Sequence, residues 1–255
     1  GFLDEKTKVI DELVEKKEKV IELLREKRRA LITHAVTKGL DSKAKMKPSG
    51  IDWLGDIPEM WQIKRLKDVI SYCSRGGAPK YRIDEKGYKF INQSCIRDGF
   101  LDLEKIKYSL TPSKKGLIKN KDILINSTGT GTLGRLSVFT GNKEYFADTH
   151  VTIFRPNKIS SSFVMYLIQN PVWQDYLYVS SVTGSTNQIE LSRDRFLEIP
   201  IIFPVIEEQE RIGSYLDKKT ARIDGIISLT ESGINQLKEY RASLIYSAVT
   251  GKIKV

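Results

Sequence analysis

Cysteine and histidine are scarce in this chain: Cys73, Cys95, His34 and His150 are the only ones among 255 residues. Two thiols build neither a disulfide scaffold nor a metal cluster, and two distant histidines sustain no zinc site or hydrolytic triad without further support. There is no run of 18 apolar residues, so no membrane-spanning helix is expected. The first residues, Gly1 to Lys6, lack the basic flank and apolar stretch of a signal peptide. A reducing, cytoplasmic location is the expectation. The Gly-x4-Gly-Lys-Ser/Thr pattern of a phosphate-binding loop is also missing. With no catalytic constellation in sight, the chain reads as non-enzymatic, with no metal and no cofactor of its own.

Positive charge is what the chain has in excess: 42 Lys and Arg against 32 Asp and Glu, a net charge of +10. Residues 41–206 carry 24 basic and 17 acidic side chains, so most of the surplus lies in the middle. A basic excess favours a polyanionic partner, nucleic acid first among them. The plain alternative is a solvated, lysine-rich surface.

An internal repeat brackets that middle. Leu3-Asp4, Lys6-Thr7 and Ile10-Asp11 recur as Leu216-Asp217, Lys219-Thr220 and Ile223-Asp224, an offset of 213 residues. The same offset carries Leu24, Glu26 and Arg28 onto Leu237, Glu239 and Arg241, Leu31-Ile32 onto Leu244-Ile245, and Ala35-Val36-Thr37 onto Ala248-Val249-Thr250. Apolar residues at spacings of seven (Leu3, Ile10, Leu24, Leu31 and Val14, Ile21, Ala35) predict a long helix with one narrow apolar stripe. Neither Pro nor Gly interrupts it before Gly39, and about 35 residues would span roughly 50 Å. In the second copy, Glu207, Glu208 and Glu210 suit a first helical turn, while Gly213, Gly225 and Gly233 weaken the helix locally and make a break conceivable. Helices this long and this narrowly apolar need a partner. The simplest arrangement pairs the copies antiparallel, like a coiled coil, with Leu24, Leu31, Leu237 and Leu244 on the interface. The alternative packs each helix separately on the middle.

The expected organisation is therefore a long helix over 1–41, a mixed α+β unit over 42–206, and a second long helix over 207–255. Trp53, Ile57-Pro58 and Trp61 pin the start of the middle unit. Strands are expected around 63–70, 88–92, 122–126, 135–139, 150–154 and 196–203, with one helix over 161–177 that continues beyond Pro171.

Three glycine-bearing connections stand out. Arg75-Gly76-Gly77-Ala78-Pro79-Lys80-Tyr81-Arg82 combines a turn with basic and aromatic groups. Ser127 to Arg135 offers hydroxyls, backbone N–H groups and one guanidinium; Thr183 to Gln188 adds amides. Hydroxyls, lysines and backbone donors hold phosphates, whereas Arg, Asn and Gln read base edges. The DNA-contact candidates are accordingly Arg75, Lys80, Tyr81, Arg82, Thr128, Thr130, Arg135, Ser185, Asn187 and Gln188. Each loop taken singly also reads as a tight connection. Gly129-Thr130-Gly131-Thr132-Leu133-Gly134 has the form of a dinucleotide fingerprint, but a strand rather than a helix is expected after it, against that chemistry. His34 reads as a surface or interhelical residue, and His150 as structural or DNA-facing.

Several runs together resemble the specificity subunits of type I restriction-modification enzymes. Pro204 to Ile212, continuing to Leu216-Asp217 and Thr220, is similar to the start of that family's conserved helical region; Lys27 to Thr33 and Ala35 to Leu40 resemble its end. Asp56-Ile57-Pro58-Glu59 with Trp61 resembles the entry into a target-recognition domain. Gly76-Gly77-Ala78-Pro79 resembles its Gly-Gly-Thr-Pro turn, with Ala78 in place of Thr, and Asp122-Ile123-Leu124 with Gly131 to Arg135 its core pattern.

The resemblance covers nearly the whole chain. It implies a target-recognition domain that reads one half of a bipartite site in double-stranded DNA. It implies modification subunits carrying S-adenosylmethionine chemistry, and restriction subunits using ATP and magnesium. The family's usual plan has two recognition domains; here there is one, and the chain opens at the equivalent of Ser214. A fragment with the second recognition domain and a half-length subunit, the latter able to form a homodimer, both fit. A helical scaffold whose middle unit binds protein is the competing class.

Overall fold

A computed structural model of the chain describes residues 1–184 and 189–253. These residues form two compact units, one of Gly1–Leu31 with Leu216–Val255, the other of Ile32–Tyr215. Two long helices run through the division: α1 (Phe2–Lys38) and α5 (Ile206–Val249). Gly213, Gly225 and Gly233 do not break α5, which is continuous through all three.

In the first unit the helices face each other through Ile21, Ile223, Ile227 and Ile234, all buried, with Val14, Leu24 and Leu31 packed against them. Ion pairs fix the direction. Asp11 meets Arg241, Glu18 meets Lys238, Arg25 meets Glu231 and Arg28 meets Asp224. Numbers rise on one helix as they fall on the other, so the pair is antiparallel in this unit. Leu237 and Leu244 are half-buried. The isoleucines carry the stability, because exposed ion pairs are worth little. Ile227→Ala is expected to lower the unfolding free energy by about 2–4 kcal/mol and Arg25→Ala by at most about 1 kcal/mol, measured by urea titration of helical circular dichroism.

The second unit is mixed α and β. Its strands in chain order are β1 (Met46–Pro48), β2 (Asp56–Pro58), β3 (Gln62–Arg65), β4 (Ile70–Arg75), β5 (Tyr81–Arg82), β6 (Tyr88–Ile91), β7 (Lys107–Ser109), β8 (Ile123–Asn126), β9 (Leu136–Val138), β10 (Phe146–Ala147) and β11 (Val151–Pro156). Helices α2 (Ser161–Gln169) and α3 (Pro171–Ser181) follow, then β12 (Val182–Thr183), β13 (Glu190–Leu191), helix α4 (Arg193–Leu197) and β14 (Pro200–Phe203). The single helix expected over 161–177 is two. Asn170 is extended, its side chain accepts from the Val172 N–H at 2.9 Å, and Pro171 opens the next helix, since it has no N–H to continue the first.

The central sheet has the order β4-β11-β8-β9 and is antiparallel throughout. Alternation splits its side chains between two faces. Leu124, Val151 and Ile153 join Ile91, Ile96, Phe139 and Ala147 in one core. On the other face Phe154 lies across from Ile123 and packs edge-on against Phe196 of α4. Both faces are thus covered, which explains why β8 is buried at every residue. The smaller sheet, β10-β6-β7-β5, has one parallel pair, β10 with β6.

The entry motif is structural. Trp61 is buried and donates its indole N–H to Glu208 at 2.9 Å. The neighbouring Gln209, also buried, accepts from the Ser160 N–H at 2.8 Å and donates to the Pro204 carbonyl at 2.7 Å. Trp53 stacks on Tyr176 with ring centroids 4.6 Å apart.

Candidate nucleic-acid interface

Sheet direction brings two of the glycine-bearing connections together. β4 and β8 end, and β9 and β11 begin, at the same edge of the central sheet: Arg75 pairs with Thr152, Asn126 with Val151, and Ile125 with Leu136. The connections leaving that edge are 76–80, 127–135 and 148–150. The β12–β13 hairpin is tied to it as well. The Leu191 N–H donates to the Ser127 carbonyl at 2.8 Å, the Gly129 N–H to the Ile189 carbonyl at 3.3 Å, and Thr128 bridges to Glu190.

Gly76 and Gly77 serve close approach. A Cβ on Gly76 would stand 1.9 Å from the Ala147 carbonyl oxygen, and one on Gly77 would stand 1.9 Å from the Ser113 hydroxyl oxygen. The Gly76 N–H donates to the Val151 carbonyl at 3.0 Å and the Gly77 N–H to that of Ala147 at 3.2 Å. The segment after β4 is therefore a packed crossing that fixes Arg75 on one side and Tyr81 on the other.

The polar side chains of this edge are largely paired with one another. Arg75 donates to Glu190 at 3.1 Å and to the Leu191 carbonyl at 3.3 Å. The Tyr81 hydroxyl donates to the buried Asp148 at 2.9 Å, and Asp148 also accepts from the His150 backbone N–H at 2.9 Å. Burial, reinforced by the Asp148 charge, pushes the Tyr81 phenol well above its ordinary pKa, so it remains a protonated donor. Thr128 Oγ1 lies 2.8 Å from His150 Nδ1. Arg82 pairs with Asp84, two residues on.

Lys80 and Thr130 are exposed and Arg135 is half-buried; no side-chain hydrogen bond or ion pair holds any of the three among the described residues. Ser185, Asn187 and Gln188 lie outside the described residues. Arg75, Lys80, Thr128, Thr130 and Arg135 lie at or on connections leaving this edge; Tyr81 and Arg82 form β5 of the smaller sheet, from which the Tyr81 hydroxyl reaches back to Asp148.

Composition of the loops alone did not point to several further residues. Asp148 and Glu190 are carboxylates on a basic domain, and only the fold sets them beside Tyr81 and Arg75. Lys107 has its ammonium 4.9 Å from the centre of the Tyr81 ring, and exposed Lys114 and Lys115 follow Ser113 at the Gly77 crossing. These lysines stand outside glycine-bearing connections, which is why the loops did not draw attention to them. The two cysteines offer no reactive thiol: burial pushes Cys73 up to about 12 and Cys95 up to about 11.

The glycine pattern at 129–134 joins β8 to β9 as an antiparallel hairpin, and a strand follows it. A dinucleotide site would need a helix opening there. No group of three His, Cys, Asp or Glu side chains able to hold a metal occurs among the described residues. Nor is any described helix long and apolar enough to cross a membrane.

Residues 58–239 match the family described as the type I restriction modification DNA specificity domain. The chain belongs to that family. Among curated relatives of this specificity domain is the type I restriction enzyme MjaVIII specificity subunit of Methanocaldococcus jannaschii, 25% identical over 197 residues that cover 76% of this chain and 43% of the relative. Two solved structures share its fold. One, from a study of complex assembly and conformational transition of the type I R-M system, has a TM-score of 0.73 at 15% identity and covers 96% of this chain and 56% of that one. The other, the HsdS subunit from Thermoanaerobacter tengcongensis, has a TM-score of 0.59 at 16% identity, covering 98% and 57%. The chain spans about half the length of the proteins it matches.

Proposed function

We propose that this chain reads one half of a bipartite sequence in double-stranded DNA, as the specificity subunit, or half of one, of a type I restriction-modification complex. The observation that carries the reading is the gathering of Arg75, Tyr81, Thr128 and His150 at one edge of a rigid sheet, flanked by exposed lysines, in a member of the specificity-domain family. Rigid placement matters because a base-edge contact needs its donor held in register, while phosphate contacts need only charge and reach. Lys80, Lys107, Lys114 and Lys115 suit phosphates. Arg75 and Arg135 suit base edges, with Asn187 and Gln188 proposed beside them from sequence.

In this reading the chain performs no chemistry. Modification subunits supply S-adenosylmethionine-dependent methylation, and restriction subunits supply the step that uses ATP and magnesium, in the cytoplasm. The helix pair, packed as a coiled coil, is the mount for those partners. Phe2, Val9, Leu13, Val20 and Leu23 leave a second apolar line exposed on α1, as a helix with further partners would. Two copies joined by a two-fold axis would present two recognition units and read inverted half-sites.

Selection of binders from a randomised duplex pool, with and without the modification subunit, tests the reading. One preferred half-site is expected, recovered singly or as two inverted copies, with affinity falling steeply as salt rises. Recovery of no preferred sequence under either condition, or salt-insensitive capture, would favour the protein-binding scaffold instead. At residue level, Arg75→Ala and Arg135→Ala should each cost about 1–3 kcal/mol on the selected duplex and relax preference at one position. Lys114→Ala should weaken all duplexes alike and reduce the salt slope by about one. Titration of single-base variants separates these outcomes.

A further inference from the structure

We infer that Glu190 is a specificity-determining residue: with Arg75 it forms a closed ion pair that a G·C base pair opens and that other DNA leaves shut. The inference rests on the DNA-reading function proposed above. The guanidinium of Arg75 is held twice by β13, through Nη1 to the Glu190 carboxylate at 3.1 Å and through Nη2 to the Leu191 carbonyl at 3.3 Å. Glu190 is itself held in place, paired in register with Thr183 and bridged to Thr128. The pair therefore sits where the ends of β4 and β8 meet β13, on backbone that is hydrogen-bonded on each side.

A half-exposed carboxylate is an odd choice for a surface meant to face a polyanion. A phosphate brought near Arg75 must compete with a carboxylate already in place, and Glu190 repels it. The pair is close to neutral as a unit, so this part of the edge gains little from the sequence-independent attraction that dominates binding to random DNA. The exposed lysines at 80, 107, 114 and 115 keep that attraction at the flanks.

A G·C pair changes the balance. Guanine O6 and N7 offer a guanidinium two acceptors at once, and the cytosine N4 amino group offers a donor to a carboxylate. Arg75 and Glu190 can then exchange each other for the two bases, and neither charge is left alone. An A·T pair has a donor for the carboxylate in adenine N6 but no adjacent pair of acceptors for the guanidinium fork, and a phosphate satisfies Arg75 alone and leaves Glu190 unpaired. Discrimination thus comes as much from the repulsive element as from the attractive one.

Glu190→Gln in the full chain tests this. Two probes are used: the duplex the wild-type protein selects from a randomised pool, and a scrambled duplex of equal length. The substitution frees Arg75 for one extra phosphate contact on scrambled DNA. The salt slope should steepen by about 0.9, and affinity at 0.1 M salt should rise about eightfold. Affinity for the selected duplex should stay within about twofold, because the amide oxygen of Gln still accepts from cytosine N4. Arg75→Lys keeps the charge but not the fork, and should lose preference at a G·C position of the consensus without gaining scrambled affinity. Glu231→Gln frees Arg25 in the helix-pair unit and adds the same charge there; it should leave discrimination unchanged.

Unchanged scrambled affinity in Glu190→Gln overturns the inference. So does an equal rise on both duplexes, or the same loss of discrimination in Glu231→Gln. Failure of the wild-type chain to select any duplex overturns the DNA-reading function itself, and this inference with it.

Discussion

Gly76→Ala should destabilise the recognition unit by at least about 3 kcal/mol, more than an ordinary surface substitution by a wide margin. The added methyl would stand 1.9 Å from the Ala147 carbonyl oxygen, 2.3 Å from its carbon and 2.4 Å from the Asp148 carbonyl oxygen. All three are backbone atoms, so no side chain can swing aside. Relief requires pulling β4 away from the 147–148 segment, which costs the Gly76 N–H its acceptor on Val151 and the Gly77 N–H its acceptor on Ala147. Gly131→Ala is the matched control. Nothing lies within 4 Å of a Cβ there, and the only cost is the positive φ of 80°, worth about 1–2 kcal/mol. Urea unfolding of both variants, followed by tryptophan fluorescence, checks the contrast. Equal stabilities would mean that the Gly-Gly crossing is not the packed contact described. Because Arg75 and Tyr81 flank the crossing, any folded Gly76→Ala should also lose DNA discrimination.

Asp122→Ala should cost about 3–5 kcal/mol. Asp122 is fully buried and accepts from Arg155 Nε and Nη2, both at 2.7 Å, and from the Lys119 N–H at 2.7 Å. The guanidinium also reaches the Leu117 carbonyl at 3.2 Å and lies 5.0 Å from the centre of the Tyr72 ring. Removing the carboxylate strands a mostly buried cation, and that stranded charge sets the cost. Removing both members should hurt less: Asp122→Ala with Arg155→Met is expected to be more stable than Asp122→Ala alone. A double variant no better than the single one would place the cost in the lost Lys119 acceptor instead.

The connections after β4 and β8 were legible in the sequence as glycine-bearing, basic and hydroxylic, and the structure sets them at one sheet edge. What loop composition does not reveal is who pairs with whom. Arg75 and Arg82 look alike in sequence, yet one is held by a residue 115 positions away and the other by its neighbour Asp84. The helix over 161–177 was legible as apolar periodicity, while its division at Asn170 depends on one capping side chain and a missing proline N–H.

The sequence by itself determined the long helices, the mixed character of the middle and the family. Helical periodicity, an ungapped offset of 213 residues and short ordered motifs are local patterns, and local patterns survive in a one-dimensional string. Only the tertiary structure decided that Asp148 and Glu190 stand among the reading candidates, that Gly76 and Gly77 serve packing, and that Ile21, Ile223, Ile227 and Ile234 form a buried cluster of the helix pair. Each of these depends on which distant segments share a sheet edge or a helix face. That is set by the burial of the whole core and the register of its strands, and by no short run of residues.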